Sequence, residues 1–411
     1  MTAVDLCAGA GGWDLAARRH GIDPIGIEVD AAACATRAAA GLRTIRADMT
    51  TLDPARFHGV AGLIASPPCP TFSAAGKGAG RLILDELCAA IDDALAGLPI
   101  DRHIAAMAEA IAADDPDQDA DTAAREAALT AEPARWIAAM RPEWVCMEQV
   151  PAVLPLWQHY ARRLEVEGWS VWCGLRSAEQ FGVPQTRKRA LFAASRVRRV
   201  EPPVVTHQRY EPGVAQGAGV ECGESLFGAG LLPWVSMADA LGWAGGRVGF
   251  PRRDDTGTSS DGYRERDWRQ ADEPALALTE KARSWMVDVG QNSRMGDGTT
   301  KRYTRPVDRP APGLTTRSGG QWTFRRPATT IACDPRVAPP GHHDENTRQM
   351  DGAVKLTVEE AACLQAFPPD HPWQGTRTAR FRQIGNAIPP PMAGAVLATV
   401  LPTTTGATPW N

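Results

Sequence analysis

Residues 66–73 read SPPCPTFS and place Cys69 directly behind two consecutive prolines. Proline fixes its own φ, so this stretch of backbone is stiffer than a cysteine in a core requires. A thiolate is a strong nucleophile that suits attack on an electron-poor carbon. A Pro-Pro-Cys sequence taken alone is as often structural as reactive, so the other residues of the chain have to distinguish the two roles.

Two further segments carry side chains that could assist such a nucleophile. Glu148 lies in MEQVP, and its carboxyl group could donate a proton to a ring nitrogen and hold an exocyclic amine. Arg187 and Arg189 occupy alternate positions of the extended segment FGVPQTRKR. Alternation sends both side chains to one face, where they could brace an anionic or electron-rich substrate. Taken separately, an arginine pair is usually solvated surface.

The N-terminal segment carries a pattern typical of nucleotide binding. DLCAGAGG places Gly9, Gly11 and Gly12 between a predicted strand and a predicted helix, where the backbone can approach a ligand closely. Glu28 ends the next strand, at the position where nucleotide folds bind ribose hydroxyls, and Asp48 ends the following one, where it could accept from an adenine amino group. The pattern predicts an adenosyl group along the carboxyl edge of a sheet, without a phosphate site, so the cofactor could be S-adenosylmethionine.

The order of the predicted elements indicates how these residues are positioned. Short apolar runs alternate with helical stretches over residues 1–75, and the alternation resumes after residue 136. This order predicts a doubly wound, mostly parallel α/β sheet. Residues 82–135 instead show apolar residues at helical spacing and form a predicted helical insertion, for which the sequence suggests no function.

Charge is distributed unevenly along the 411 residues, which carry a net charge of −4. Residues 82–135 hold 13 Asp and Glu against 3 Lys and Arg, a net of −10 that leaves the rest of the chain at +6. A basic face for a polyanion is therefore possible, although charge alone is weak evidence. The nine scattered cysteines indicate a reducing, cytoplasmic location without a disulfide framework or metal site, and neither a membrane span nor a secretory signal is expected.

A change in composition near residue 200 predicts a second domain. Prolines, glycines and arginines become frequent, and a weak repeat of Pro-Ala followed by Thr occurs in segments beginning at residues 272, 308 and 325. The repeat indicates strand starts in a small irregular domain. Helical periodicity returns near residue 350.

Taken in order, DLCAGAGG, SPPC, MEQV, QTRKR, LTVEEAACLQAFP and GNAIPPP closely resemble the motifs of the DNA (cytosine-5)-methyltransferase family. They cover roughly residues 1–81, 136–195 and 350–411. The resemblance implies a Rossmann-like, S-adenosylmethionine-dependent catalytic domain over 1–195 with the insertion at 82–135. It also implies a target-recognition domain at 196–350 and a C-terminal segment, 351–411, that returns to the catalytic domain.

The resemblance assigns roles to individual residues. Cys69 would attack C6 of a cytosine flipped out of double-stranded DNA, while Glu148 would hold N3 and the amino group. Arg187 and Arg189 would support the cysteine loop and the target base, and Lys77 and Arg81 of a mobile loop could touch phosphates. The residues implied for S-adenosylmethionine are Cys7, Ala8, Gly9, Ala10, Gly11, Gly12, Glu28, Val29, Asp48, Met49, Pro67 and Asn386.

The implied partner is double-stranded DNA bound by a monomer, and a cognate restriction endonuclease is a candidate functional partner. Three residues depart from the family pattern: Pro70 replaces a glutamine, Gln149 an asparagine and Cys7 an aromatic residue. Cys146 stands two residues before Glu148, and RNA cytosine methyltransferases use a second cysteine in this region. A structural role is favoured for it because its neighbours are apolar. The alternatives are therefore an RNA cytosine methyltransferase and an inactive DNA-binding regulator.

Overall fold

The computed structural model describes the chain almost continuously up to residue 211 and again over 354–402, with short stretches between them. Cys69, residues 73–81 and most of the predicted recognition domain lie outside the described residues, as do the repeat segments at 308 and 325. The described residues are 2–68, 70–72, 82–211, 214, 216–217, 230–242, 247–250, 267–270, 272–276, 278, 286–288, 293–294, 300–301 and 354–402.

Residues 2–195, the predicted catalytic part, alternate strands and helices as the sequence indicates. Its strands are β1 (Ala3–Leu6), β2 (Ile25–Glu28), β3 (Thr44–Arg46), β4 (Gly62–Ala65), β5 (Trp144–Gln149), β6 (Ser170–Ser177), β7 (Gln185–Thr186) and β8 (Lys188–Ser195). Its helices are α1 (Gly12–Arg19), α2 (Ala31–Ala39), α3 (Leu84–Leu95), α4 (Asp101–Asp114), α5 (Ala120–Ala128), α6 (Glu132–Met140) and α7 (Leu154–Val166).

Among the described residues, seven strands form one sheet in the order β3-β2-β1-β4-β5-β8-β6. The first five strands in this order pair in parallel, whereas β8 runs antiparallel to both β5 and β6. The α/β fold class predicted from the sequence is confirmed. Because β8 is reversed, its first residues lie at the same sheet edge as the carboxyl ends of β1, β2, β4 and β5.

Apolar side chains cover both faces of the sheet. Leu6 and Leu63 belong to a core shared with α3 to α7, and Ile64 belongs to a core on the other face with α1 and the C-terminal helix. The alternation follows from the pleat, which points successive residues of a strand to opposite faces. Both faces of this sheet are therefore buried, as parallel sheets require.

The acidic insertion is part of this core. Leu87 and Ile91 of α3 and Met107 and Ile111 of α4 are at most 1% exposed and join the core that covers the sheet. Most charged residues of these helices lie on the outward faces, as expected for amphipathic helices, whereas Glu86 and Asp93 contact the buried ring of His103. The helical character of 82–135 is as predicted, but its apolar stripe packs into the core of the catalytic part.

The remaining described elements lie after residue 230. Segment 275–276 pairs with β7 in parallel, so the second half of the chain joins the catalytic part at this point. In the described part of the chain, no helix combines the length and the apolar character needed to cross a bilayer. These elements are α8 (Met237–Leu241), β9 (Arg247–Phe250), β10 (Asp267–Gln270), β11 (Ala275–Leu276), β12 (Met286–Asp288), β13 (Ser293–Arg294), β14 (Thr300–Lys301), β15 (Val354–Lys355), α9 (Val358–Leu364), α10 (Arg377–Asn386) and α11 (Pro390–Val400).

Candidate active site

A cavity of about 620 Å³ opens at the carboxyl edge of the sheet. Its wall is formed by the turn after β1, the ends of β2 and β5, the start of β8, and the segment that ends α10. Ligand sites of α/β sheets occur at this edge. The predicted site residues that line the cavity are Cys7, Ala8, Gly9, Gly12, Glu28, Val29, Glu148, Arg187, Arg189 and Asn386.

The turn after β1 depends on glycine. Gly9 and Gly11 have φ values of +52° and +97°, and Cys7 adopts a positive φ of 57° as well. The backbone N–H of Gly9 donates to Oε2 of Glu28 over 2.8 Å. The turn is thereby tied to the end of the neighbouring strand. Burial, and then the nearby carboxylate of Glu28, raise the pKa of the Cys7 thiol well above its usual value, so this thiol is neutral.

Glu28 is held in one orientation by backbone donors. Its Oε1 accepts from the N–H groups of Val29 (2.8 Å) and Asp30 (2.7 Å), while Oε2 accepts from Gly9. A carboxylate has about four acceptor positions, so these contacts leave one position of Oε2 unused, and Glu28 lines the cavity. Val29 is 64% exposed on the same wall and offers apolar surface to a flat ring.

The C-terminal segment closes one side of the cavity. A Cβ on Gly12 would collide with the carbonyl oxygen of Ile388, so the backbone of the segment after α10 lies directly against the start of α1. Two contacts dock α10 onto α2: Thr36 donates to Gln383 over 2.7 Å, and Arg382 pairs with Asp30 at 2.5 Å. Asn386 reaches the cavity wall through this docking.

Two residues of the glycine turn point away from the cavity. Ala10 is fully buried in a core with Met237 and Leu278, behind the turn. A side chain on Gly11 would meet Leu42 and Asp14. Both residues shape the turn, and their own surfaces do not line the cavity.

Three further predicted residues lie beside the cavity wall. Asp48 is exposed at the end of β3, where its Oδ1 accepts from the N–H (2.9 Å) and the hydroxyl (2.8 Å) of Thr50. Met49 is buried, with its sulfur 3.6 Å from the sulfur of Cys7. Pro67 is buried and presents its carbonyl to Gln149. Met49 thus supports Cys7 from behind, and Asp48 stabilises its own turn.

Glu148 and Arg189 form an ion pair in the cavity wall. Oε1 of Glu148 lies 2.7 Å from Nε of Arg189, and both side chains are largely buried. A buried pair of this kind fixes the carboxyl group in place because neither charge has an alternative partner in water. The pairing follows from the reversed β8, which brings Arg189 to the end of β5.

Arg187 occupies a different environment from Arg189. It lies between β7 and β8 and is 2% exposed, and its Nη1 donates to the carbonyls of Leu278 (3.1 Å) and Gly385 (2.8 Å). Burial, and then the charge of Arg189, lower the pKa of Arg187 to about 9. Simple alternation predicted a shared role for the two arginines. In the structure, Arg187 joins three chain segments, whereas Arg189 pairs with Glu148.

The segment before Cys69 is held from two sides. Nε1 of Trp13 donates to Oγ of Ser66 over 2.9 Å, and Nε2 of Gln149 donates to the carbonyl of Pro67 over 2.7 Å. Cys69 itself, with Lys77 and Arg81, lies outside the described residues. The described part of the segment therefore ends on the cavity wall at Pro68, one residue before the predicted nucleophile.

Cys146 is a core residue. It is 0% exposed and packs with Ile64 and Leu191 on the face of the sheet that α11 covers. Burial raises the pKa of its thiol well above the usual range. A thiol of this kind is neutral and inaccessible, so the structure supports a packing role for Cys146.

An ion pair under the glycine turn was not predicted from the sequence. Arg37 contacts both carboxylate oxygens of Asp14 at 2.7 Å, and its Nη1 also reaches the carbonyl of Ala8 (3.3 Å). The guanidinium occupies the space left by the missing side chain of Gly26. The sequence features that could have indicated this ion pair are an arginine in the alanine-rich helix α2 and a glycine in the buried strand β2.

His371 also supports the turn and was likewise not predicted. Its ring meets that of Trp373 edge to face with centroids 4.6 Å apart and forms a hydrogen bond with the backbone of Ala10. Burial lowers the pKa of His371 to about 4, so the ring is neutral near pH 7. Its position in FPPDHPW gave no signal of this contact.

The arrangement suits group transfer between two bound molecules. One end of the cavity has a glycine turn, a carboxylate with a free lone pair and an apolar wall, which fit an adenosyl group. The other end has an orientated carboxyl group beside the segment that leads to a cysteine. Among the described residues, no cluster of three or more His, Cys, Asp or Glu side chains could hold a metal ion.

This fold and site define a Rossmann-like methyltransferase. The family model for C-5 cytosine-specific DNA methylases matches residues 1–82, 118–218 and 252–401, and the chain belongs to this family. The protein is accordingly an enzyme of the DNA cytosine-5 methyltransferase class, and the family implies S-adenosylmethionine as its methyl donor. The unmatched residues 83–117 contain α3 and α4, so these helices are an addition to the family pattern.

Full-length relatives support the assignment. The chain is 24% identical over 420 residues to the type II methyltransferase M1.HphI of Haemophilus parahaemolyticus, covering 98% of this chain and 87% of that protein. It is also 24% identical over 404 residues to the type II methyltransferase M.NgoMIV of Neisseria gonorrhoeae, covering 96% of each. The S. pombe Dnmt2 methyltransferase has a similar fold, with a TM-score of 0.50, 12% identity and coverage of 97% of both chains.

Proposed function

We propose that this enzyme methylates C5 of a cytosine in double-stranded DNA through a transient bond between Cys69 and C6 of the base. The observation that carries the proposal is that Glu28 and the glycine turn line the same cavity as Glu148 and Arg189, beside the segment that leads to Cys69. A base must leave the duplex to enter such a cavity.

Glu28, Val29 and the turn at Gly9 are the residues that would hold the cofactor. The free lone pair of Glu28 fits ribose hydroxyls, and the exposed side chain of Val29 fits the adenine ring. Cys7 would contact the adenosyl group from the other side, backed by Met49. When bound, S-adenosylmethionine supplies the methyl group that C5 accepts.

Cys69 and Glu148 would carry the chemistry on the base. The thiolate of Cys69 attacks C6, while the carboxyl group of Glu148 donates a proton to N3, is left as the carboxylate that pairs with Arg189, and accepts from the exocyclic amine. Proton donation relieves the negative charge that attack builds on the ring, and C5 becomes nucleophilic. After C5 is methylated, loss of its proton to water re-forms the double bond between C5 and C6 and expels Cys69 as a thiolate, and the proton on N3 returns to Glu148. Arg189 keeps Glu148 in the orientation that this sequence of steps requires.

The predicted domain at 196–350 would read the DNA sequence, with the duplex in the cleft between it and the catalytic part. The type II names of the relatives support a modification role, with a cognate restriction endonuclease as functional partner. The cofactor assignments of Asp48, Pro67 and Asn386, the monomeric state and a cytoplasmic location are parts of the same proposal.

Covalent trapping tests the mechanism. With 5-fluorocytosine at the target position, the final elimination is blocked because fluorine does not leave as a cation. The enzyme should remain attached to duplex DNA in an adduct that survives denaturation and requires S-adenosylmethionine. Cys69→Ser should abolish the adduct, and Cys146→Ser should leave it intact. Trapping that persists in Cys69→Ser and vanishes in Cys146→Ser would overturn the nucleophile assignment.

Two comparisons test the substrate. Methyl transfer to duplex DNA should exceed transfer to tRNA, and bisulfite sequencing of DNA from cells that express the protein should show a methylated site. Activity on tRNA alone would show that the enzyme is an RNA methyltransferase. A folded protein without activity on either substrate would indicate a DNA-binding regulator.

A further inference from the structure

The indole of Trp13 and the hydroxyl of Ser66 connect the start of α1 to the segment that leads to Cys69. We propose that Trp13 is a positioning residue that holds this segment for catalysis, an inference that rests on the proposed function. Nε1 of Trp13 donates to Oγ of Ser66 over 2.9 Å. The contact joins residues 53 positions apart in the sequence.

Burial makes this contact important for Trp13. The side chain is 3% exposed and packs in the core with Ala16, Ile388 and Met392. The indole has a single polar group, its N–H, and burying that donor without a partner is unfavourable. The hydroxyl of Ser66 supplies the partner, so the packing of the indole and the position of Ser66 are linked.

A second contact fixes the next residue of the segment. Gln149 directly follows Glu148, and its side chain donates to the carbonyl of Pro67 over 2.7 Å. Pro67 and Pro68 have fixed φ values because of their rings. Two anchored residues and two fixed torsions leave the backbone few ways to vary its direction before Cys69.

Trp13 also connects the segment before Cys69 to the cofactor end of the cavity. Trp13 is the second residue of α1, next to Gly12 of the glycine turn, and both Trp13 and Ser66 lie on the cavity wall. A displacement of the start of α1 would therefore displace Ser66. The hydrogen bond makes the segment before Cys69 depend on the element that carries the cofactor turn.

A double-mutant cycle tests the inference. Trp13→Phe removes the donor and keeps most of the ring, and Ser66→Ala removes the acceptor. Each variant should slow covalent trapping on 5-fluorocytosine DNA by about 3- to 10-fold, which is the range for one neutral hydrogen bond. The double variant should be no slower than the slower single variant. The Kd for S-adenosylmethionine should stay within about twofold in all three.

Trp136→Phe is the matched control. Trp136 is fully buried, and its Nε1 has no hydrogen-bond partner among the described residues. It packs against Phe57 with ring centroids 5.3 Å apart, under the insertion and away from the cavity wall. This variant makes the same chemical change without touching the segment, so its trapping rate should remain at the wild-type value.

The alkylation rate of Cys69 by iodoacetamide, followed by mass spectrometry, separates this inference from the proposed function. Trp13→Phe should change the rate by at least about twofold relative to wild type and Trp136→Phe, even if wild-type protein forms no adduct and the proposed function fails. An unchanged alkylation rate would overturn the positioning role. So would wild-type trapping in Trp13→Phe, losses that multiply in the double variant, or a loss confined to cofactor binding.

Discussion

Glu148 and Arg189 form a largely buried ion pair, with Oε1 2.7 Å from Nε, at the sheet edge where β5 ends and the reversed β8 begins. The carboxyl group therefore has a fixed position relative to the segment before Cys69. A fixed general acid is worth more to catalysis than a mobile one because its geometry needs no further ordering in the transition state.

Glu148→Gln should slow covalent trapping and methyl transfer by about 10²- to 10⁴-fold, the usual contribution of a general acid. The amide keeps the size of the side chain but cannot donate a proton to N3 in the same way. Single-turnover kinetics measures the effect. Glu143→Gln is the control, because Glu143 is exposed directly before the start of β5, far from the cavity, and its replacement should leave both rates unchanged. Comparable rates in the two variants would remove Glu148 from the chemistry.

Glu28→Ala should weaken binding of S-adenosylmethionine by about 1.5–3 kcal/mol, the range for hydrogen bonds to a charged group. The variant removes both the lone pair offered to the ribose and the anchor of the Gly9 N–H. Isothermal titration calorimetry measures the change. Asp23→Ala, which alters an exposed acid near β2, should bind normally. An unchanged Kd in folded Glu28→Ala protein would refute the ribose assignment.

Gly12→Ala should destabilise the protein by about 1–3 kcal/mol, because the new methyl group would collide with the carbonyl of Ile388. Urea denaturation measures the free energy of unfolding. Gly230→Ala is the matched control, since a Cβ there would meet no atom of the described residues within 4 Å. Equal stabilities of the two variants would show that the C-terminal segment does not pack tightly on the start of α1.

Stability should fall as the pH is lowered from about 6.5 towards 4 because of His371. Burial lowers the pKa of His371 to about 4 in the folded protein, so the unfolded chain binds more protons in this window and unfolding becomes easier as pH falls. Asp370 is the charged neighbour that opposes the shift. His371→Gln removes this titration.

The measurement for His371 is urea denaturation of wild type and variant at pH 7.5 and pH 5. The difference between the two proteins should shrink at pH 5, because wild type alone loses the contribution of a neutral buried ring. Comparing differences cancels the effects of His20 and His207, whose pKa values are also lowered by burial. A pH-independent difference would contradict the prediction.

The acidic face of the insertion should lie away from DNA, because phosphates repel it. Neutralising the exposed Glu109, Asp114 and Asp117 as amides should leave the salt dependence of DNA binding unchanged, since these residues would touch no phosphate-binding surface. The slope of log K against log salt concentration measures this. A slope altered by about one or more would place the insertion at the DNA interface.

The sequence alone determined which residue types stand at the strand ends. Gly9, Glu28 and Glu148 could be placed at one edge because strand and helix periodicities are local, and because parallel strands bring their carboxyl ends together. The order of the motifs also identified the methyltransferase class, which the family match confirmed. The helices over 82–135 followed from the spacing of apolar residues such as Leu87 and Ile91.

Only the tertiary structure decided how these residues are used. Four features depend on residues that are distant in sequence or separated by a strand boundary. They are the separate environments of Arg187 and Arg189, the burial of Ala10, the contact of Gly12 with Ile388 and the hydrogen bond from Trp13 to Ser66. Side-chain periodicity gives the direction of a residue but not the partner that packs against it. Partners depend on the sheet order, on the reversal of β8 and on the return of the C-terminal segment, and these follow from burial summed over the whole chain.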